Sequence, residues 1–287
     1  MAGRAWRWRE ALRAVKVAML GSGSRGNSTV AWTEQTCVLV DAGFSGRQLA
    51  SRLAAVGVEP EGVDAILLTH EHGDHVRGAG IFARRYGTPL LMSAGTREAV
   101  SGLLHGGEAV EEYRPGSRFG IGDIEVDAFL TAHDAVDPVA VTLTGRECGS
   151  RVGVATDLGR PTAAIRHSLA ELDVLILEAN HDEGLLRVGP YPASVQARIA
   201  SSHGHLSNEA AARLAVELLT DRLLAVHLAH LSAECNRPEL AREVVERELR
   251  RAGFDGPVTV VPQDRPGPVV DIPAERARSG PDQLRLL

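Results

Sequence analysis

The segment His-Glu-His-Gly-Asp-His at positions 70 to 75 constrains this chain more than any other segment. A mainly apolar run at positions 64 to 68 precedes it, separated only by Thr69, and predicts a buried strand. Side chains alternate along an extended chain, so His70 and His72 point to one face. Two imidazoles on one face can bind one metal ion, and the segment therefore predicts a metal site at the end of a strand.

Two more side chains of this segment indicate a second ion. Asp74 and His75 come after Gly73, where the chain can turn back, and they offer a carboxylate and an imidazole. The alternative is a set of polar surface residues on a loop, but three histidines and one aspartate at this spacing favour metal binding. This segment saturates neither ion, so further ligands must come from elsewhere in the chain.

The pattern His-x-His-x-Asp-His resembles the signature of the metallo-β-lactamase superfamily of hydrolases. The resemblance implies that a lone His, a lone Asp and a final His follow later strands, in that order. His133, Asp157 and His230 each stand at the end of a predicted strand. His227 is a competitor for the last position, but it lies within its apolar strand, where a structural role is more common. By this resemblance the ligands are His70, His72 and His133 for one ion, Asp74, His75 and His230 for the other, and Asp157 as a bridge.

The same resemblance predicts the fold, an α/β chain arranged as a four-layer αββα sandwich with the metals at one edge between the sheets. Periodicity alone predicts only a mixed α/β domain. With 44% hydrophobic residues, the chain has ample apolar material for a core. We expect one domain over residues 15 to 262, an N-terminal extension over 1 to 14 without a fixed structure, and a C-terminal tail over 263 to 287.

Net charge and cysteine content limit the partners and the cellular compartment that we expect for this chain. A net charge of −6 argues against a wholly basic surface and leaves room for a local basic groove. The three cysteines are widely spaced and odd in number, which argues against a disulfide framework and a thiolate zinc site. No apolar run is long enough to cross a membrane, so we expect a cytoplasmic protein without membrane association. The sequence leaves the oligomeric state open, and an oligomer is possible.

Further segments resemble one subgroup of the superfamily, the bacterial YycJ (WalJ) proteins. They are the segments at positions 21–27, 40–46, 178–182, 204–209 and 230–232. This resemblance implies a metal-dependent nuclease that acts on DNA, with a 5′-to-3′ exonuclease activity on the double strand. It also implies two divalent metal ions, and because all ligands are N or O donors, zinc suits the site while manganese or iron is admitted.

The subgroup is also similar to tRNase Z, in which a Glu after a strand and a His in a Gly-His-Ser-Thr segment act as an acid pair. Glu178 and His205 occupy these positions, so the resemblance assigns His205 to protonating the leaving oxygen and Glu178 to orienting it. Asp74 is a third candidate for a catalytic role. The segment after His205 departs from the pattern, since Leu206-Ser207 replaces Ser-Thr. Maturation of transfer RNA is therefore not expected.

The turn-rich loop at positions 21 to 28 allows two interpretations. Its backbone N–H groups could hold a phosphate, but Gly and Ser between two strands also form an ordinary hairpin, which is the more common case. Ser24 and Asn27 of this loop, together with His181, are our candidate substrate-binding residues.

Two other functions remain open on the sequence. The metals could serve a small-molecule thioester or lactone hydrolase of the glyoxalase II type, although the Glu178 and His205 pair counts against it. A non-catalytic DNA-binding subunit could use the site for stability alone. A purely structural zinc needs only four closed ligands, and the larger ligand set speaks against that function.

Overall fold

Two seven-stranded β-sheets make up the centre of the computed structural model, which describes residues 15–279. The strands are β1 (Lys16–Gly21), β2 (Ser28–Trp32), β3 (Cys37–Val40), β4 (Ala65–Leu67), β5 (Leu90–Met92), β6 (Val110–Glu112), β7 (Ser117–Ile121), β8 (Ile124–Leu130), β9 (Val139–Gly145), β10 (Arg151–Ala155), β11 (Val174–Glu178), β12 (Ala225–Ala229), β13 (Val258–Val260) and β14 (Val270–Asp271). Sheet A has the order β14-β1-β2-β3-β4-β5-β6, and sheet B has the order β13-β12-β11-β10-β9-β8-β7. In both sheets one half is antiparallel and the other half is parallel.

Helices cover the outer faces of the two sheets. They are α1 (Gly46–Ala55), α2 (Gly73–Val76), α3 (Ala79–Tyr86), α4 (Ala94–Ala99), α5 (Ala163–Ser168), α6 (Glu183–Val188), α7 (Ala193–Ile199), α8 (Asn208–Glu217), α9 (Pro238–Arg251) and α10 (Ile272–Ser279), with short 3₁₀ turns at Pro60–Gly62 and Ser101–Leu103. Local sequence explains several starts. Ser45 forms a capping box with Gln48 at the start of α1, and the Ser207 side chain accepts a hydrogen bond from the Ala210 N–H at the start of α8.

Alternation along the strands creates three apolar layers. In β12, Ala225 and Ala229 belong to the layer between the two sheets, while Val226 and Leu228 pack against the helices outside sheet B. A third layer packs sheet A against α1 and α3. Buried side chains on both faces of each sheet are the pattern of a four-layer sandwich, and the predicted αββα fold is confirmed.

Some predicted helices differ from those in the structure. The pattern of residues 76–86 in the sequence predicts a single helix, but the chain forms α2 and α3 with a break at Gly78. A Cβ at Gly78 would lie 1.9 Å from the Phe44 carbonyl oxygen, so close packing against another segment determines this break. The sequence likewise predicts a helix over residues 95–104, but the helix ends at Ala99 and a 3₁₀ turn follows. Both differences depend on long-range contacts and end effects that hydrophobic periodicity does not report.

The segment after position 262, expected as a tail, continues into sheet A. Strand β14 pairs with β1, and Arg276 of α10 donates to the buried Asp173 carboxylate at 2.6 Å. Gln263 accepts a hydrogen bond from the Arg25 N–H through its side chain and from Arg52 through its backbone oxygen. The predicted extension over 1 to 14 and positions 280 to 287 lie outside the described residues. Within 15–279, no helix combines the length and apolar character needed to cross a bilayer.

Candidate metal centre and active site

The predicted ligands converge because their strands end at the same edge of the sandwich. Strands β10, β11 and β12 are parallel neighbours, and their carboxyl ends place Asp157, Glu178 and His230 side by side. The segment after β4 and the segment after β8 bring the other candidates to this edge from sheet A and from the antiparallel half of sheet B. Seven side chains from four separate segments of the chain thus lie in one cluster.

One group within the cluster contains His70, His72, His133 and Asp157, whose ligand atoms all lie within 4.8 Å of one another. His72 Nδ1 is 3.1 Å from His70 Nε2 and 3.3 Å from His133 Nε2. Tetrahedral zinc with Zn–N bonds of about 2.0–2.1 Å places its nitrogen ligands about 3.3–3.4 Å apart. These nitrogens therefore have the spacing of ligands around one tetrahedral ion.

A second group contains Asp74, His75 and His230. Asp74 Oδ2 lies 3.2 Å from His230 Nε2 and 3.5 Å from His75 Nε2. The Asp157 carboxylate reaches both groups, with Oδ2 at 3.0 Å from His75 Nε2 and Oδ1 at 3.5 Å from His133 Nε2. Asp157 therefore stands between the two groups, where the resemblance places a bridging ligand.

Two independent observations show that these residues fit metal ions. Asp157 Oδ2 is buried, and its 3.0 Å contact with His75 Nε2 lacks the geometry of a hydrogen bond, although a buried carboxylate oxygen is normally satisfied. In addition, the Nδ1 atoms of His75, His133 and His230 each meet a protein oxygen: Asp41 Oδ2 at 2.7 Å, the Gly204 carbonyl at 3.1 Å and Glu178 Oε1 at 2.9 Å. An Nδ1–H donated outward leaves the Nε2 lone pair for a metal ion.

The pKa values of the cluster reflect closely packed charges. Burial raises the pKa of Asp157, but the positive charges of His230 and His75 outweigh burial and hold that pKa well below its usual value. Burial lowers the pKa of His230, yet Asp157, Asp74 and Glu178 raise it to about 10. Burial and the neighbouring imidazoles keep the pKa of His70 low. The buried carboxylates thus attract positive charge, which protons or divalent cations can supply.

Three residues of the site have a strained backbone conformation. Asp41, Asp157 and His230 have φ angles of 62°, 56° and 54°, in the left-handed region that non-glycine residues seldom adopt. Asp41 is buried, and its Oδ1 accepts a hydrogen bond at 2.8 Å from the Thr69 N–H beside the metal segment. Together with its contact to His75, this geometry makes Asp41 an orienting group for the segment.

The loop at positions 21 to 28 is a hairpin whose side chains form hydrogen bonds to residues of the cluster. Ser22 Oγ accepts a hydrogen bond from the His230 N–H at 2.7 Å and donates to Asn27 Oδ1 at 2.8 Å. The Asn27 amide nitrogen donates to Asp74 Oδ2 at 3.1 Å. A Cβ at Gly43 would lie 1.6 Å from the Asp74 carbonyl oxygen, so only glycine allows this approach. The loop therefore positions ligands on two sides of the cluster.

The three candidate substrate-binding residues have different environments. Ser24 is exposed and lines the cavity beside the cluster. Asn27 and His181 are both buried with 2% exposure, and neither lines the cavity. Ser24 is thus the candidate that reaches the open site. Asn27 instead donates to the carboxylate of Asp74, a candidate metal ligand. His181 lies beneath the surface of the cavity, and its Nδ1 has no hydrogen-bond partner.

The Glu178 and His205 pair forms the wall of the site next to these groups. His205 Nδ1 lies 2.6 Å from Glu178 Oε1, and Glu178 Oε2 accepts from the N–H groups of Leu158 and Leu206. Burial raises the pKa of Glu178, but His205 and His230 outweigh it and lower the pKa to about 2. Glu178 is therefore an ionised acceptor that orients two imidazoles at once.

A cavity of about 330 Å³ opens beside the cluster. Its lining residues are Ser24, His72, Asp74, His133, Asp134, Asp157, Asn180, Tyr191, Val195, Arg198, Ile199, His203, Gly204, His205, His230 and Ser232. Tyr191 and Arg198 are not among the predicted site residues. The signal nearest to them in the sequence is the Gly-Pro-Tyr-Pro segment at positions 189 to 192, which predicts a stiff turn but does not show that the turn faces the site.

The αββα sandwich gathers imidazoles and carboxylates at the ends of its strands, and together with the family match and the relatives that follow, it identifies a metal-dependent hydrolase that uses divalent metal. The chain belongs to the beta-lactamase superfamily, because its residues 36–228 match the family model described as Beta-lactamase superfamily domain. It is 36% identical over 265 residues to exodeoxyribonuclease WalJ of Streptococcus pneumoniae serotype 2, a match that covers 90% of this chain and 98% of that protein.

A second relative supports this assignment, and a solved structure shares the fold. Exodeoxyribonuclease YycJ of Bacillus anthracis is 34% identical over 239 residues, covering 83% of this chain and 90% of that protein. The crystal structure of the metallo-beta-lactamase fold protein YhfI from Bacillus subtilis superposes with a TM-score of 0.67 at 20% identity, covering 90% and 99% of the two chains. The superfamily and the YycJ (WalJ) subgroup that the motifs predicted are thereby confirmed.

Proposed function

We propose that this protein is an exodeoxyribonuclease that hydrolyses double-stranded DNA from 5′ to 3′ with two divalent metal ions. His70, His72 and His133 would hold one ion, Asp74, His75 and His230 the other, and Asp157 would bridge them. The imidazole and carboxylate donors suit zinc, and they admit manganese or iron. When bound, such ions activate a water molecule and neutralise charge that develops on the phosphoryl oxygens.

The observation that carries this proposal is the position of His205, which Glu178 holds at 2.6 Å on the border of the metal groups. Cleavage of a phosphodiester in DNA expels a deoxyribose oxygen, a poor leaving group unless it receives a proton. Glu178 Oε1 accepts the Nδ1 proton of His205. The Nε2 atom of His205 is then the one that holds a proton for the leaving oxygen. Because Glu178 contacts both imidazoles, it also fixes the position of His205 relative to His230.

The two relatives support DNA as the substrate, since both are named exodeoxyribonucleases and share about a third of their residues with this chain. The direction of cleavage rests on the resemblance to the subgroup. A cytoplasmic location agrees with a DNA substrate and with three cysteines that are all free. The thioester or lactone hydrolase that the sequence left open is not favoured, because the relatives are nucleases, and the thiolate that a thioester expels needs no acid like His205.

A substrate panel tests the proposal. Metal-loaded protein should release mononucleotides from end-labelled duplex DNA and should also hydrolyse bis-p-nitrophenyl phosphate. Cleavage of the small phosphodiester alone would retain the chemistry and reject DNA as the substrate. Efficient cleavage of thioesters or lactones, with both phosphodiesters left intact, would reject the nuclease and support the ester hydrolase.

A further inference from the structure

One wall of the cavity takes no part in the metal chemistry. It is formed by Tyr191 and by three side chains of α7, namely Val195, Arg198 and Ile199. Among the described residues that line the cavity, Tyr191 is the one Phe, Trp or Tyr, and Arg198 is the one Arg or Lys. An aromatic ring, two aliphatic groups and a guanidinium facing a metal cluster are the groups that bind a base, a sugar and a phosphate.

Helix α7 does not contribute to the protein core. None of its residues is buried, and Val195 and Ile199 are only partly covered although both are apolar. Residues four apart lie on the same side of a helix, so both side chains face the cavity together. An apolar helix face turned toward a polar cavity is better explained by a ligand than by folding.

Backbone contacts connect this wall to His205 and His133 on the metal side of the cavity. The Ile199 carbonyl accepts a hydrogen bond from the His205 N–H at 2.9 Å. A Cβ at Gly204 would lie 2.1 Å from the same Ile199 oxygen, and the Gly204 carbonyl meets His133 Nδ1 at 3.1 Å. The end of α7 therefore keeps a fixed distance from His205 and His133.

Arg198 is poised to exchange partners. Its Nη1 lies 3.5 Å from Asp134 Oδ2 at the mouth of the cavity, and the two side chains are 67% and 62% exposed. Exposed ion pairs of this kind are weak. A phosphate offers more charge and a geometry that matches the guanidinium fork, so it can displace the Asp134 carboxylate.

We propose that this wall binds the terminal nucleotide of the DNA strand that is being degraded. Tyr191 stacks on its base, Val195 and Ile199 contact the base or the sugar, and Arg198 leaves Asp134 for a phosphate of the same strand. The cavity volume of about 330 Å³ is near the lower end for small-ligand sites, so it accepts one nucleotide while the duplex stays outside. This inference rests on the proposed exonuclease function and adds the residues that recognise the substrate.

Kinetics of full-length, metal-loaded variants test the wall. Tyr191→Ala and Arg198→Gln should each raise KM for duplex DNA roughly tenfold, about the effect of losing one stack or one phosphate contact. The effect should fall on KM for duplex DNA rather than on kcat, because neither side chain is assigned to the reacting atoms. Tyr191→Phe should retain the low KM. Asp134→Asn should lower KM, since it releases Arg198, provided that its metal content equals that of wild type.

The matched control is Arg242→Gln on α9, which removes an exposed arginine paired with Glu246 at 3.0 Å and should leave KM unchanged. A binding experiment adds a readout without turnover. Metal-depleted protein is mixed with duplexes that carry 2-aminopurine at the 5′ or the 3′ end, and stacking on Tyr191 should quench its fluorescence at one end. Tyr191→Ala should abolish that quenching.

The outcomes separate the inference from the proposed function. If wild type degrades duplex DNA and both Tyr191→Ala and Arg198→Gln keep the wild-type KM and quenching, the inference is wrong and the nuclease stands. If wild type cleaves bis-p-nitrophenyl phosphate but neither binds nor degrades DNA, the proposed function and the inference both fall.

Discussion

His205 Nδ1 lies 2.6 Å from Glu178 Oε1, so a fully buried carboxylate orients an imidazole that borders the cavity. The same oxygen lies 2.9 Å from His230 Nδ1. One carboxylate thus sets the orientation of a candidate acid and of a candidate metal ligand. Because the two roles share Glu178, only a substitution at His205 itself separates proton transfer from metal binding.

The first prediction concerns His205→Ala. Turnover on duplex DNA should fall on the order of 10²- to 10⁴-fold, the usual contribution of a general acid. Turnover on bis-p-nitrophenyl phosphate should fall much less, because p-nitrophenolate leaves without protonation. Steady-state rates on both substrates and elemental analysis of bound metal check this. His167→Ala, at an exposed position on α5, is the control. Unchanged turnover on DNA would remove His205 from the mechanism.

A second prediction compares two glycines near the metal segment. Gly43→Ala should lower the free energy of unfolding by about 1–3 kcal/mol, because its Cβ would lie 1.6 Å from the Asp74 carbonyl oxygen. Gly73→Ala should have little effect on stability, since no atom lies within 4 Å of its added Cβ and its φ is not in the left-handed region. Thermal unfolding of both variants gives the comparison. Equal stability of the two variants would show that the close contact at Gly43 is relieved without cost.

The third prediction is a pH dependence at His227, which is buried in β12 with an Nδ1 that has no partner. Burial lowers the pKa of His227 from 6.5 to about 4. The unfolded chain therefore takes up a proton below pH 6.5 while the folded chain does not. This group contributes no penalty above pH 6.5, and it costs stability progressively as the pH falls toward 4, by about 3 kcal/mol in total.

His227→Leu removes that penalty. Urea unfolding at several pH values should show the variant gaining stability relative to wild type as the pH falls from 6.5 to 4. A constant difference between the two proteins across this range would mean that His227 keeps an ordinary pKa in the folded state.

The fourth prediction concerns the chain beyond position 262. Arg276→Ala should destabilise the protein by about 1 kcal/mol, because it leaves the buried Asp173 carboxylate with fewer donors, and the arginine itself is 40% exposed. Arg278→Ala, which removes an exposed pair with Glu275, should change stability little. A chain that ends at Pro262 should lose more, since the edge of β1 then has no β14. Wild-type stability of that shortened chain would support the domain boundary at 262.

The fold and the convergence of the cluster were predicted for a reason that the strand order explains. Ligands at the ends of parallel strands meet at one sheet edge, and His133, Asp157 and His230 each follow an apolar run that is easy to recognise. The resemblance to the superfamily implied these ligands, and the place of each one after a strand agreed with it.

Long-range packing set the limits of prediction. Asn27 was a candidate for substrate binding, but its amide contacts Asp74, a residue 47 positions away. The Tyr191 and Arg198 wall was missed because a half-buried helix has no distinctive periodicity. The pairing of β14 with β1 joins the two ends of the described chain, and two residues of strand leave almost no signal in the sequence.

The central claim is metal-dependent hydrolysis of DNA, and one measurement tests it most directly. Metal-depleted protein is incubated with end-labelled duplex DNA, and zinc or manganese is then added back in increasing amounts. The account predicts no release of mononucleotides without metal and a release that saturates near two ions per chain. Degradation that persists without metal, or DNA that stays intact with either metal at saturation, would contradict it.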